Sequence, residues 1–183
     1  MKKTDFFDSY FSNLNSKISD VDIELLLRAA QIILESNMKG GKVIFVGNGG
    51  SAAMASHLSV DLTKAAGIRA INFNEADLLT CFANDFGYEN WVAEALQAYA
   101  DENDAVVLIS SSGKSPNIIN GLSQARLMNL PVITLSGFGS DNPLRKLGDV
   151  NFWCHSDLYN IVEMTHHVWL LAIVDFIIYC RNN

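Results

Sequence analysis

Hydrophobic and polar positions along this chain follow two different rhythms. Up to residue 39 the apolar positions recur at helical spacing. Ile23, Leu26, Leu27, Ala30, Ile33 and Leu34 mark one face of a helix predicted over 20–39, with Asp20 as its N-cap and Gly40–Gly41 as its stop. A first helix is predicted over 4–18 and is crowded with Phe6, Phe7, Tyr10 and Phe11. Such a concentration of aromatic surface serves packing, here between subunits.

From residue 42 onward, short apolar runs alternate with helical stretches. Strands are predicted over 42–47, 68–73, 104–110, 131–137 and 150–155. Helices are predicted over 51–66, 90–100, 115–129 and 160–179, with a short one over 142–148. Uniformly apolar strands separated by helices imply a mostly parallel sheet covered on both faces. The fold class is therefore α/β: a flavodoxin-like three-layer sandwich around a five-stranded, mostly parallel sheet, with an N-terminal helical pair. No repeat or linker divides the chain, so residues 1–183 are expected to form one domain. Residues 1–40 would serve oligomerisation, and 41–183 would form the α/β core.

Composition narrows the function classes. With 49% hydrophobic and 18% charged residues, the 183-residue chain is expected to fold as a globule. A net charge of −7 argues against a nucleic-acid surface, but backbone amides at helix N-termini can still hold a small anion. Cys81, Cys154 and Cys180 share no metal-type spacing and read as reduced, mostly buried thiols. The start, MKKTDFFDSY, lacks the apolar run of a signal peptide, and the most apolar stretch, 168–180, contains Asp175 and is too short to span a bilayer. These features together predict a soluble, cytoplasmic protein without a membrane partner.

In a doubly wound sheet, ligands bind beyond the carboxyl ends of the strands. Three strands here end in polar, flexible turns, at 47–51, 74–77 and 110–115, and all three are expected to open on one cleft. The segment GNGGSA after the first strand satisfies a dinucleotide pattern through Gly47, Gly49 and Ala52, but no hydride-transfer chemistry accompanies it. SSSGKS at 110–115 suggests a nucleotide phosphate loop, yet the required leading glycine is Leu108. A sugar phosphate suits the residues better. Ser110, Ser111, Ser112 and Ser115 cluster at the start of a helix, where hydroxyls, amides and the helix dipole can surround a phosphate dianion. The plainer reading is a serine-rich N-cap, which four serines in six residues exceed.

GNGGSAAMASH, FANDFGYE, ISSSGKSPN, VITLSG and, more loosely, IVEMTHH resemble the sugar isomerase (SIS) domain family, and within it the phosphoheptose isomerases. The resemblance runs nearly end to end. It implies a homotetramer with its site between subunits and a phosphate held by Ser110, Ser111, Ser112 and Ser115. Asn48, Gly49, Gly50, Ser51, Asn84, Asp85 and Glu163 would contact the sugar. The activity implied is conversion of sedoheptulose 7-phosphate to an aldose phosphate, feeding heptose into a bacterial surface polysaccharide.

Aldose–ketose isomerisation moves a proton between adjacent carbons through an enediol, which suits a carboxylate and a second acid–base group. The family's histidine–glutamate pair falls on His57 and Asp61, so the carboxylate here is one methylene shorter. The family's last helix carries a glutamine, a histidine three residues later and the catalytic histidine eight later. Aligned on it are Glu163, His166 and Leu171. Leucine transfers no proton, so His167 is the expected substitute, alongside Asp61 as base and His57. Some members bind zinc, and the ligands implied here are His57, Asp61, Glu163 and His166 or His167. The alternative function is a non-catalytic SIS module that binds a phosphosugar or a protein, like the family's replication-initiator-associating adaptor. Leu171 favours that alternative; His57, Asp61 and Glu163 favour the enzyme.

Overall fold

The computed structural model describes residues 3–183. Two helices, α1 (Lys3–Ser19) and α2 (Ile23–Met38), precede the sheet. Asp22, not Asp20, caps α2: its carboxylate accepts the Glu24 amide at 2.9 Å. There follow β1 (Val43–Gly47), α3 (Gly50–Lys64), β2 (Ala70–Asn72), α4 (Ala76–Phe86), α5 (Trp91–Tyr99), β3 (Ala105–Ser110), α6 (Pro116–Leu127), β4 (Val132–Gly137), a short 3-10 turn (Pro143–Lys146), β5 (Val150–Cys154) and α7 (Tyr159–Asn182).

The five strands lie in the order β2-β1-β3-β4-β5, and all four pairings are parallel. Alternation along each strand sorts the apolar side chains into two cores, because successive residues point to opposite faces. Val43, Phe45, Val107, Ile109, Ile133 and Leu135 face α2, α3 and α7. Ile44, Val46, Val106, Leu108 and Val132 face α5 and α6, where Trp91 is fully buried.

α4 has no counterpart among the predicted elements. Its apolar positions, Leu78, Leu79, Phe82 and Ala83, do follow helical spacing, but they are only partly buried against the second core, and no α4 residue is fully buried. The thiols also differ from expectation. Cys154 is buried on β5, whereas Cys81 and Cys180 are exposed because they lie on the outer faces of α4 and α7.

The apolar stretch 168–180 belongs to a longer helix. At 24 residues, α7 is long and apolar enough to cross a membrane by length and composition alone, yet half of its apolar window is buried inside the protein. Ile161, Val162, Thr165, His166, Trp169, Leu170, Ile173, Val174 and Ile177 form its buried face, which packs against α1, α2 and α3. It serves as a core helix.

The strand order reverses direction at β1 and β3, which are neighbours in the sheet but not in sequence. Between the carboxyl ends of those two strands lies the switch point at which such sheets bind ligands. Gly47 and Ser110 are the last residues of these strands, so the glycine and serine loops both open there.

Candidate functional site

A cavity of about 170 Å³ occupies this switch point, lined by Asn48, Ser51, Ile109, Ser110, Ser111, Ser112, Ser115, Tyr159 and Glu163. Four elements converge on it: the two loops, the start of α3 and the start of α7. The serines are not spent on capping. Ser115 is the N-cap of α6, but its hydroxyl makes no capping bond and instead lies 3.1 Å from the Ser110 hydroxyl. Ser111 is buried, and its hydroxyl has no hydrogen-bond partner among the described residues. An unsatisfied buried hydroxyl is costly, and a phosphate oxygen at the positive end of α6 would satisfy it. Ser111→Ala is therefore expected to weaken binding of a sugar phosphate by about 1–3 kcal/mol, as measured by calorimetry. The Lys114 side chain is exposed and does not line the cavity.

The shape of the serine loop is held from a distant part of the chain. Gly113 has φ +64, and a Cβ there would collide with Asn142 Oδ1. Asn142 is itself buried. Its Nδ2 donates to the carbonyls of Gly137 and Gly139 at 3.0 and 2.9 Å, and its Oδ1 accepts the Arg145 amide at 3.0 Å. The Leu144 amide completes the lock by donating to the Gly113 carbonyl at 3.2 Å.

Across the cavity, Asn48 is fixed by a reciprocal pair of bonds with Asn117, at 3.1 and 2.9 Å, and by the Tyr88 hydroxyl at 3.1 Å. Asn117, Tyr88 and Tyr159 were not among the predicted site residues. The first two lie within the segments SPN and FGYE that carry the family resemblance, so the signal was there in the sequence.

α3 and α7 run side by side in the same direction. The Glu163 carboxylate lies over Gly50, His167 lies against His57, and Arg181 reaches the Ala66 carbonyl at 3.0 Å. Glycine at position 50 is required by this approach, because a Cβ would overlap the carboxylate. Further along the groove, His57 Nε2 is 3.2 Å from Asp61 Oδ2, and His57 Nδ1 is 2.9 Å from His167 Nε2. A carboxylate that only accepts favours the His57 tautomer with its proton on Nε2, and in that tautomer Nδ1 accepts from His167 Nε2–H. That leaves the lone pair of His167 on Nδ1. Burial, then the neighbouring His57, holds His167 below the ordinary imidazole value, with Asp61 pulling the other way. Leu171, one turn on, packs against the first core.

His166 does not join this group. One residue turns an α-helix by about 100°, so His166 points into the core while His167 faces α3. His166 is fully buried, with Nε2 2.9 Å from the Ser136 carbonyl and Nδ1 without a partner among the described residues. Its expected role as a metal ligand is thus corrected: the imidazole faces β4. Burial pushes its pKa down to about 4. The unfolded chain therefore binds a proton that the folded one refuses between about pH 6.5 and 4. The His166 contribution to stability is complete above pH 6.5 and is lost on acidification through that window, about 3 kcal/mol in all. Urea unfolding at several pH values should show this loss in the wild type and a smaller one in His166→Gln.

Of the zinc ligands expected, His57, Asp61, Glu163 and His166 or His167, His166 is not brought to the group. Both nitrogens of His57 already face protein partners, His166 points away, and among the described residues no group of three or more His, Cys, Asp or Glu is arranged to hold a metal ion.

Two further groups of predicted residues lie away from this cavity within one chain. Asn84 and Asp85 are exposed on α4 and bond to each other at 2.8 Å, outside the cavity of this chain. The turn after β2 does not open on the cleft either. Asn74 donates to the Ala52 carbonyl and to the Ser56 hydroxyl, both at 2.7 Å, and so fastens β2 to α3.

Fold and cleft together define a doubly wound α/β protein with a hydroxyl-rich cavity at its switch point. The chain belongs to the SIS domain family, whose model matches residues 6–137. It is 40% identical over 123 residues to a phosphoheptose isomerase of Photorhabdus laumondii, an alignment that covers 64% of this chain and 64% of that protein. The chain thus spans a little under two thirds of the length of the curated relatives it matches. The solved phosphoheptose isomerase of Francisella tularensis superposes with a TM-score of 0.86 at 25% identity, covering 97% of this chain and 98% of that one. The phosphoheptose isomerase GmhA of Neisseria gonorrhoeae gives 0.84 at 25% identity over 95% and 97%.

Proposed function

We propose that this protein is a phosphosugar isomerase acting on a seven-carbon sugar phosphate, interconverting sedoheptulose 7-phosphate and the corresponding aldose phosphate for bacterial surface polysaccharide. The observation that carries this reading is the buried, unpartnered Ser111 hydroxyl in a serine cradle that shares one cavity with Glu163. The phosphoheptose isomerases similar to this chain support the substrate class. In this reading the phosphate sits among Ser110, Ser111, Ser112 and Ser115, and Asn48 and Ser51 bind sugar hydroxyls. His167 Nδ1 exchanges protons with the sugar oxygens. Asp61 fixes His57, and His57 in turn stabilises positive charge that develops on His167. His167 thus fills the role that Leu171 cannot.

The working assembly is a homotetramer in the cytoplasm. Phe6, Phe7 and Phe11 are more than half exposed on α1, while Val60, Met164 and Val168 are exposed beside His57, Glu163 and His167. A second copy covering these surfaces would also close the groove against water. Asn84 and Asp85 would then meet sugar, if at all, from a neighbouring subunit.

The test is exchange of the carbon-bound proton of sedoheptulose 7-phosphate with deuterated water. Exchange with formation of aldose phosphate is the expected result. Tight binding without exchange would favour the non-catalytic module instead.

A further inference from the structure

Two carboxylates border the α3–α7 groove, and their circumstances differ. Asp61 lies beside His57 Nε2 at 3.2 Å, and its charge keeps His57 in the tautomer that receives the His167 proton. It lines no part of the serine cavity. Glu163 has no hydrogen-bond or ion-pair partner among the described residues, and it lines the same cavity as Ser110, Ser111 and Ser112. Its carboxylate lies over Gly50, the first residue of α3, at the positive end of that helix and open to the cavity. Glu163 and His167 are four residues apart on α7, so one helical face presents both to the groove.

We propose that Glu163, rather than Asp61, is the base that removes the carbon-bound proton. This rests on the isomerase reading above and deepens it. Glu163 takes the proton from C1 of the ketose. The C1–H electron pair becomes the C1=C2 double bond, and the carbonyl pair moves onto O2, giving an enediolate. The hydroxyl proton on O1 passes to His167 Nδ1 and from there to O2, which leaves the negative charge on O1. C1=O1 then forms as C2 takes back the proton from Glu163. One proton has moved from C1 to C2 and one from O1 to O2, with no net change in charge or oxidation level. The N-terminus of α3 faces the enediolate as well as Glu163, and aligned amide dipoles stabilise charge that develops there.

The experiment compares wild type, Glu163→Gln, Glu163→Asp and Asp61→Asn for proton exchange on sedoheptulose 7-phosphate in deuterated water. Calorimetric affinity and thermal melting are followed in parallel. Glu163→Gln is expected to lose about 100-fold or more in exchange with nearly unchanged affinity, whereas Asp61→Asn loses about 10-fold. Glu163→Asp, which keeps the charge on a shorter arm, should retain more exchange than Glu163→Gln even if both melt earlier. The proposal is overturned if Glu163→Gln exchanges at the wild-type rate, if Asp61→Asn is the more impaired, or if the two Glu163 variants are equally inactive. It is also overturned if Glu163→Gln loses affinity in step with exchange, for then Glu163 only binds. An active wild type with an active Glu163→Gln removes this proposal alone. A wild type without exchange removes the isomerase reading and this proposal with it.

Discussion

Replacement of His167 by leucine is expected to lower turnover of a seven-carbon sugar phosphate by about 100- to 1,000-fold, the range over which a positioned acid–base group contributes. The reason lies in the chain Asp61–His57–His167, linked by contacts of 3.2 and 2.9 Å. With Nε2 turned to His57, Nδ1 of His167 is the nitrogen left to accept, and burial holds that imidazole below its ordinary value. Because His167 lines no part of the serine cavity, the affinity for phosphate should hold, so kcat falls while KM changes little. Steady-state kinetics with calorimetry on the same variant checks both halves. Turnover within a few-fold of wild type would remove His167 from the reaction.

The second large effect concerns the serine loop. Gly113→Ala is expected to destabilise the protein by about 3–5 kcal/mol, and to shift the melting temperature down by roughly 10 °C for a chain of this size. Two costs combine. A side chain at φ +64 is strained by about 1–2 kcal/mol. The added methyl group also displaces Asn142, whose three bonds to Gly137, Gly139 and Arg145 lie in the interior. Each buried polar group left without a partner costs about 1–3 kcal/mol. The same displacement moves Ser110, Ser111 and Ser112 out of register, so affinity for a sugar phosphate should fall with stability. Differential scanning calorimetry with and without phosphosugar separates the two losses: wild type gains stability from the ligand, and Gly113→Ala gains little.

Much of this was open to reading in the linear chain, and the exceptions share a cause. The strands were legible because each is a short, uniformly apolar run between helices, such as AVVLIS at β3. The helix α4 was missed although Leu78, Leu79, Phe82 and Ala83 have the right spacing, because a helix lying on the surface buries only a narrow stripe. His166 and His167 could not be assigned before the buried face of α7 was known. They are adjacent in sequence, yet one turns toward β4 and the other toward α3.

The sequence by itself determined the α/β alternation, the parallel sheet and the meeting of the glycine and serine loops at one edge. These follow from hydrophobic period and from the rule that parallel strands require crossover helices, and both are local properties of the chain. Only the tertiary structure decided which polar groups meet. Asn142 reaches back under Gly113, Tyr88 reaches Asn48 across forty residues, and Glu163 settles over Gly50 from the far end of the chain. Such contacts depend on the direction of single side chains and on the packing of helices distant in sequence, neither of which a periodic pattern encodes.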